Sequence, residues 1–195
     1  MGNTRKKSLL YDIYEWVETL FLPFVFIVLI MTFTARVSRV DGRSMEPTLH
    51  DNDYLIISNL FYEPDYNDII VLQAVSLHNE MFETGKPIVK RVVGLPGDRI
   101  YVDSIGGIVY RNNQPLETVE RGGVIYEDGH MINDYTFSGE LEVVVVPEDS
   151  VYVLGDNRMN SLDSRSPTVG TVNKNYIVGK AIYRILPFSY LGDLY

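Results

Sequence analysis

Cysteine is missing from this sequence altogether. Its absence excludes thiolate nucleophiles, cysteine-ligated zinc and disulfide cross-links together. Histidine is scarce, with His50 in "TLHDND", His78 in "SLHNEMF" and His130 in "EDGHMIND", each in a polar, turn-like stretch and none at a zinc-type spacing. A histidine triad or metal centre is therefore not expected. Basic residues are outnumbered, 17 Lys and Arg against 26 Asp and Glu, for a formal net charge of -9. Near the start Arg5, Lys6 and Lys7 are offset by Asp12, Glu15 and Glu18, so the excess negative charge lies further on. A chain this acidic lacks the clustered cations that release counterions, and no nucleic-acid partner is expected. Repeats and low-complexity segments are also missing, and 46% hydrophobic with 22% charged residues describes a folding chain of 195 residues with one main domain.

One long apolar run is present. Between Glu18 and Arg36 stands "TLFLPFVFIVLIMTFTA", free of formal charge. As a helix it would measure about 26 Å, near the short limit for a bilayer crossing. Trp16 on one flank and Arg36 on the other suit the two interfaces. A cleaved secretory signal would share the basic start, but the run is long for a signal core and Phe33 spoils a small-x-small cleavage pattern. The expected organisation is a cytoplasmic segment 1–18, a transmembrane helix 19–36 and an extracytoplasmic domain 37–195. Basic residues tie across the two flanks, so this orientation rests on the amino terminus and the placement of the acidic domain.

Beyond Val40 the pattern changes to short runs rich in Val, Ile and Tyr, punctuated by Gly, Pro, Asn and Asp. "DYLIISNL", "DIIVLQAV", "PIVKRVVGL", "RIYVDSI", "GGIVYRNN", "LEVVVVPE", "SVYVLGD" and "YIVGKAIYRIL" read as strands of a mostly β, antiparallel, barrel-like fold. Leu95-Pro96-Gly97-Asp98 suits a type II turn, and Asn112-Asn113 suits a hairpin that needs positive φ. Residues 103–147 are the least patterned and are expected to form a hairpin insertion.

Two side chains invite a chemical reading. Ser44, in "GRSMEPTL", sits shortly after the apolar run in no G-x-S-x-G context, so as a nucleophile it would need an unusual base. Lys90 lies in the strand "PIVKRVVGL", where alternation puts Ile88, Lys90 and Val92 on one face. If that face is buried, desolvation lowers the lysine pKa and a neutral amine can accept a hydroxyl proton. An exposed edge-strand lysine that discourages aggregation is the alternative. A third stretch, "LGDNRMNSLDSR" from Leu154, reads either as a polar loop built on side-chain turns or as a small network that orients something.

In this order and after one apolar segment, "SMEPTL", "DNDYLIIS", "KRVVGLPGD" and "GDNRMNSLDSR" resemble the boxes of the bacterial type I signal peptidases, membrane-bound serine proteases with a Ser-Lys dyad. The resemblance implies Ser44 as nucleophile, Lys90 as general base, Ser161 as the hydroxyl that orients the amine, and the Ser44 N–H as a donor to the oxyanion. It makes Arg91, Asp156, Asp163 and Arg165 a structural network of ion pairs. Gly42 stands where some members carry a second serine that completes the oxyanion hole, and Met159 where an acid is common. The implied substrates are secretory preproteins, cut after small residues at the outer face of the cell membrane, with the lipid bilayer as a second partner and no metal or cofactor. A silent anchored β-domain that binds peptides, and a soluble self-cleaving Ser-Lys repressor, compete with this reading. The intact pair of residues speaks against the first, and the apolar run against the second.

Overall fold

In a computed structural model the described residues are 9–73, 86–103, 108–116, 143–187 and 191–194. His78, His130 and most of the expected insertion lie outside them. The chain divides at Arg36/Val37 into two units. The first holds helix α1, Leu9–Thr34, which contains Pro23. Its side chains from Tyr14 to Leu29 are exposed. Among the described residues no helix is long and apolar enough to cross a membrane; the described side chains of α1 include Glu15 and Glu18. The helix begins before the expected boundary at residue 19 and gives way to a strand at Ala35.

The second unit is β-rich. Strands β1 (Ala35–Arg39), β2 (Tyr54–Ser58), β3 (Ile69–Gln73) and β4 (Pro87–Gly94) are followed by β5 (Arg99–Asp103), β6 (Ile108–Arg111), β7 (Gln114–Pro115) and β8 (Val143–Val145). Then come β9 (Ser150–Leu154), β10 (Val172–Asn173), β11 (Ile177–Leu186) and β12 (Gly192–Asp193). The main sheet runs β1-β2-β11-β3-β4-β9-β10, with β12 also on β11, and a smaller sheet runs β7-β6-β5-β8. The strand pairs from β2 onward are antiparallel. Each of the eight segments read as strands from composition contains a strand among the described residues; β1, β7, β10 and β12 are short or polar and carried no such signal.

Turn chemistry sets the path. Asp98 N–H bonds to Leu95 O and Gly97 has φ +83°, so this turn leads from β4 out into the small sheet. Asn112 and Asn113, both at positive φ, close the two-residue hairpin between β6 and β7. The chain returns to the main sheet as β9, beside β4. Register shifts along β11 against β2 and β3 mark bulges, which bend and twist a long strand and curl the sheet.

β4 is buried on both faces. Val89 packs with Ile69, Val71 and Leu55 in one cluster, while Val92, with Ile88 against it, packs with Ile70, Leu72 and Val153 in another. Lys90 lies between Ile88 and Val92 on the second face, opposite Ile70 in β3. Position on a central strand, rather than an edge, removes the aggregation-guard explanation for this lysine.

Candidate functional site

Ser44 sits in the loop from β1 to β2. Its base is closed by Val40 N–H to Asp53 O at 2.8 Å and Asn52 N–H to Val40 O at 3.0 Å. Asp53, buried, accepts from the His50 N–H and from Arg184. Met45 and Leu49, fully buried beside Leu55 and Ile69, pin the loop to the core. Ser44 itself stays half-buried next to these anchors, so its hydroxyl is held but reachable. His50 is exposed.

Lys90 reaches this loop from β4. Its Nζ is 2.8 Å from Ser44 Oγ and donates to Val89 O at 3.1 Å, and the residue is only 3% exposed. The two residues are 46 positions apart in the chain. Burial strips water from the ammonium and is the largest influence on it. Asp163 opposes that effect, Arg165 adds to it and Asp156 opposes it, and the net result lowers the amine from 10.5 to about 8. A small pocket beside the amine is walled by Leu72, Ile88, Val153 and Val169.

The stretch after β9 braces this pair. Arg91 makes a two-pronged ion pair with Asp156, Nε to Oδ1 at 2.8 Å and Nη2 to Oδ2 at 2.7 Å. Arg165 does the same with Asp163, both bonds at 2.8 Å. All four side chains are buried. Burial pushes the Asp163 carboxyl up, but Arg165, the Gly155 N–H and the Ser161 hydroxyl outweigh it and hold it below the ordinary carboxylate range. Ser164 exchanges backbone and side-chain bonds with Val153, folding the loop back on β9.

The resemblance assigned Ser161 to orient the lysine. Here the amine bonds to Ser44 and Val89, and the buried Ser161 hydroxyl helps hold the Asp163 carboxyl low. Gly42 is exposed, with φ +90°, and its N–H is committed to Asp51 Oδ1 at 3.0 Å. A residue with a side chain would be strained at that φ, so a hydroxyl donor is not readily accommodated there. Met159 is exposed.

Two residues of the site carried no sequence signal beyond their place in the polar stretch. Gly155 is one: an added Cβ would lie 2.2 Å from Ser161 Oγ and 2.4 Å from Ser44 O. Only a residue without a side chain lets the three segments meet. Asn157 is the other, donating through its N–H to Ser44 O at 2.9 Å and through Nδ2 to Arg43 O at 3.1 Å. A one-dimensional reading sees an ordinary glycine and an ordinary turn asparagine.

Two stability tests follow from this packing. Gly155→Ala is expected to destabilise the domain by about 1–3 kcal/mol, the usual cost of overpacking, measured by denaturant unfolding. The second concerns the charge on Lys90: the unfolded lysine keeps its proton to about 10.5, whereas the folded one releases it near 8. Below pH 8 the folded state therefore carries the full penalty, about 3 kcal/mol, and the penalty is relieved as pH rises from 8 to 10.5. Lys90→Met should accordingly be more stable than the parent at pH 7, with the advantage narrowing over that window in melts recorded at stepped pH.

Comparison with known proteins places the chain in a family. The family model described as "Signal peptidase, peptidase S26" matches residues 13–186. A signal peptidase I of Leptolyngbya laminosa is 36% identical over 186 residues, covering 92% of this chain and 83% of that protein. A probable signal peptidase I-1 of Synechocystis is 32% identical over 186 residues, covering 93% and 87%. A signal peptidase I of Bacillus amyloliquefaciens is 32% identical over 192 residues, covering 95% and 93%. With a match running through β2, β4 and the loop after β9 alike, this chain belongs to the signal peptidase family, peptidase S26, a family of serine endopeptidases.

Proposed function

We propose that this protein is a membrane-anchored endopeptidase that removes amino-terminal signal peptides from secretory preproteins after small residues, with Ser44 as nucleophile and Lys90 as general base. The observation that carries the reading is the 2.8 Å separation of Lys90 Nζ and Ser44 Oγ, with the amine buried and lowered to about 8. One N–H of the neutral amine is spent on Val89 O, which leaves the lone pair for the serine hydroxyl. Ser44 Oγ adds to the scissile carbonyl carbon, its proton passes to Nζ, and the carbonyl electron pair moves onto oxygen. Collapse expels the amine of the mature protein, which takes the proton from Lys90 and leaves a Ser44 ester. Water, deprotonated by the same amine, hydrolyses that ester.

Anchoring is supported by the surface of α1. Leu20, Phe21, Leu22, Phe24 and Phe26 are each more than half exposed. At 100° per residue those positions spread over about two thirds of the circumference, a wide apolar surface that suits contact with lipid. We place the β-unit on the extracytoplasmic side, where a signal peptide's cleavage site emerges. The full chain should stay in the membrane pellet through alkaline carbonate extraction, and Leu22→Glu with Phe26→Glu should release it to the supernatant; retention of that double variant would remove α1 as the anchor.

The chemistry is tested with a full-length precursor in detergent. Ser44→Ala and Lys90→Ala should each reduce kcat by several orders of magnitude while the melting transition persists. For the parent chain, kcat/KM should climb as pH rises and level off above about 8, because only the neutral amine is a base and roughly a tenth of it is neutral at pH 7. Turnover by either variant, or a flat profile from pH 6 to 9, would sink the dyad.

A further inference from the structure

We propose that Asn157 is the positioning residue for the oxyanion site: it aims the Ser44 N–H at the place where negative charge forms on the substrate carbonyl oxygen. The assignment rests on the Ser44-Lys90 reading above. The Ser44 N–H and the Arg43 C=O belong to one peptide group, and in a planar trans peptide they point in opposite directions. Whatever holds the Arg43 oxygen therefore sets the heading of the Ser44 N–H. Asn157 holds it, Nδ2 to Arg43 O at 3.1 Å, and its own N–H holds the next carbonyl, Ser44 O, at 2.9 Å. Because a carbonyl can only accept, the orientation of the Asn157 amide is fixed by its partner.

Three further observations single this residue out. Asn157 occupies the N-cap of the short 3₁₀ turn Arg158–Asn160, a position where an asparagine ordinarily bonds to its own turn, yet its side chain makes no such bond. The side chain is diverted across to a segment 114 positions away. Among the described residues the Ser44 N–H makes no hydrogen bond, so it is unspent. Finally, Gly42 offers no second donor, since its N–H goes to Asp51 and its φ of +90° disfavours a side chain. With Gly42 removed as a donor, the heading of the Ser44 N–H matters correspondingly more.

The local turn keeps its own bond, Glu46 N–H to Arg43 O at 3.2 Å, and the Asn157 N–H to Ser44 O is a backbone contact. Removing only the side-chain amide should thus loosen the peptide without dismantling the loop. The experiment compares the parent chain, Asn157→Ala, the similar-sized and uncharged Asn157→Leu and Ser44→Ala on a full-length precursor, with melts run in parallel. Loss of a whole oxyanion donor lowers kcat by about 10²–10³, so a mis-aimed donor should lower it by roughly tenfold to a hundredfold, with KM within about twofold. The acid limb of the pH profile should stay in place, since no neighbour of Lys90 changes. Binding of a peptide aldehyde, which presents an oxyanion once Ser44 adds to it, should weaken by the same factor as kcat. Asn157→Leu keeps much of the volume and lacks both donor and charge, so it decides the matter if Asn157→Ala folds poorly. Unaltered kcat in a folded variant, a loss residing in KM, or a displaced pH midpoint would overturn the assignment. If Ser44→Ala itself still cleaves, the underlying dyad fails rather than Asn157.

Discussion

A primary amine kept out of water beside a hydroxyl is the constraint around which this domain is arranged. At Lys90 the burial works against the folded state, because an ammonium in an apolar wall loses hydration that protein groups replace only in part. The surrounding strands supply the rest. Ile70, Leu72, Val92 and Val153 wall that face of β4, and Asp163 and Asp156 partly offset the loss by their charge. The balance leaves a lysine lowered to about 8, close enough to neutrality to take and return a proton.

Those carboxylates are themselves buried and would be untenable alone. Each is matched by its own guanidinium, Arg91 to Asp156 and Arg165 to Asp163, in the planar two-pronged geometry that arginine provides. Buried pairs of this kind add little net stability, yet breaking one by removing a partner costs about 3–5 kcal/mol. Their value here is geometric. One ties the loop after β9 to β4 and the other closes that loop on itself, and Gly155 permits the approach of Ser44 and Ser161 by having no side chain. Ser161, buried against Gly155, helps hold the Asp163 carboxyl low.

Much of this was legible beforehand, and unevenly. Strands rich in Val and Ile announced themselves, as did the turns at Leu95–Asp98 and Asn112–Asn113, because those signals are local: β-branching and positive φ are properties of one to four residues. Short or polar strands such as β7 and β10 were silent, since their pairing comes from neighbours. The four boxes in order pointed to the family. They implied that Ser161 orients the lysine amine, and they left Gly155 and Asn157 as ordinary loop residues.

By itself, then, the amino-acid order determined the strand content, the apolar segment, the candidate nucleophile and base, and the absence of thiols. Spacing along a chain, however, carries no distance across 46 residues. Only the tertiary structure decided that β4 is central rather than at an edge, that Lys90 meets Ser44 and Val89, and that Asn157 reaches the Arg43 carbonyl. The reason is that desolvation and hydrogen-bond direction belong to the three-dimensional surroundings of a group, and those surroundings are assembled from segments that the sequence keeps far apart.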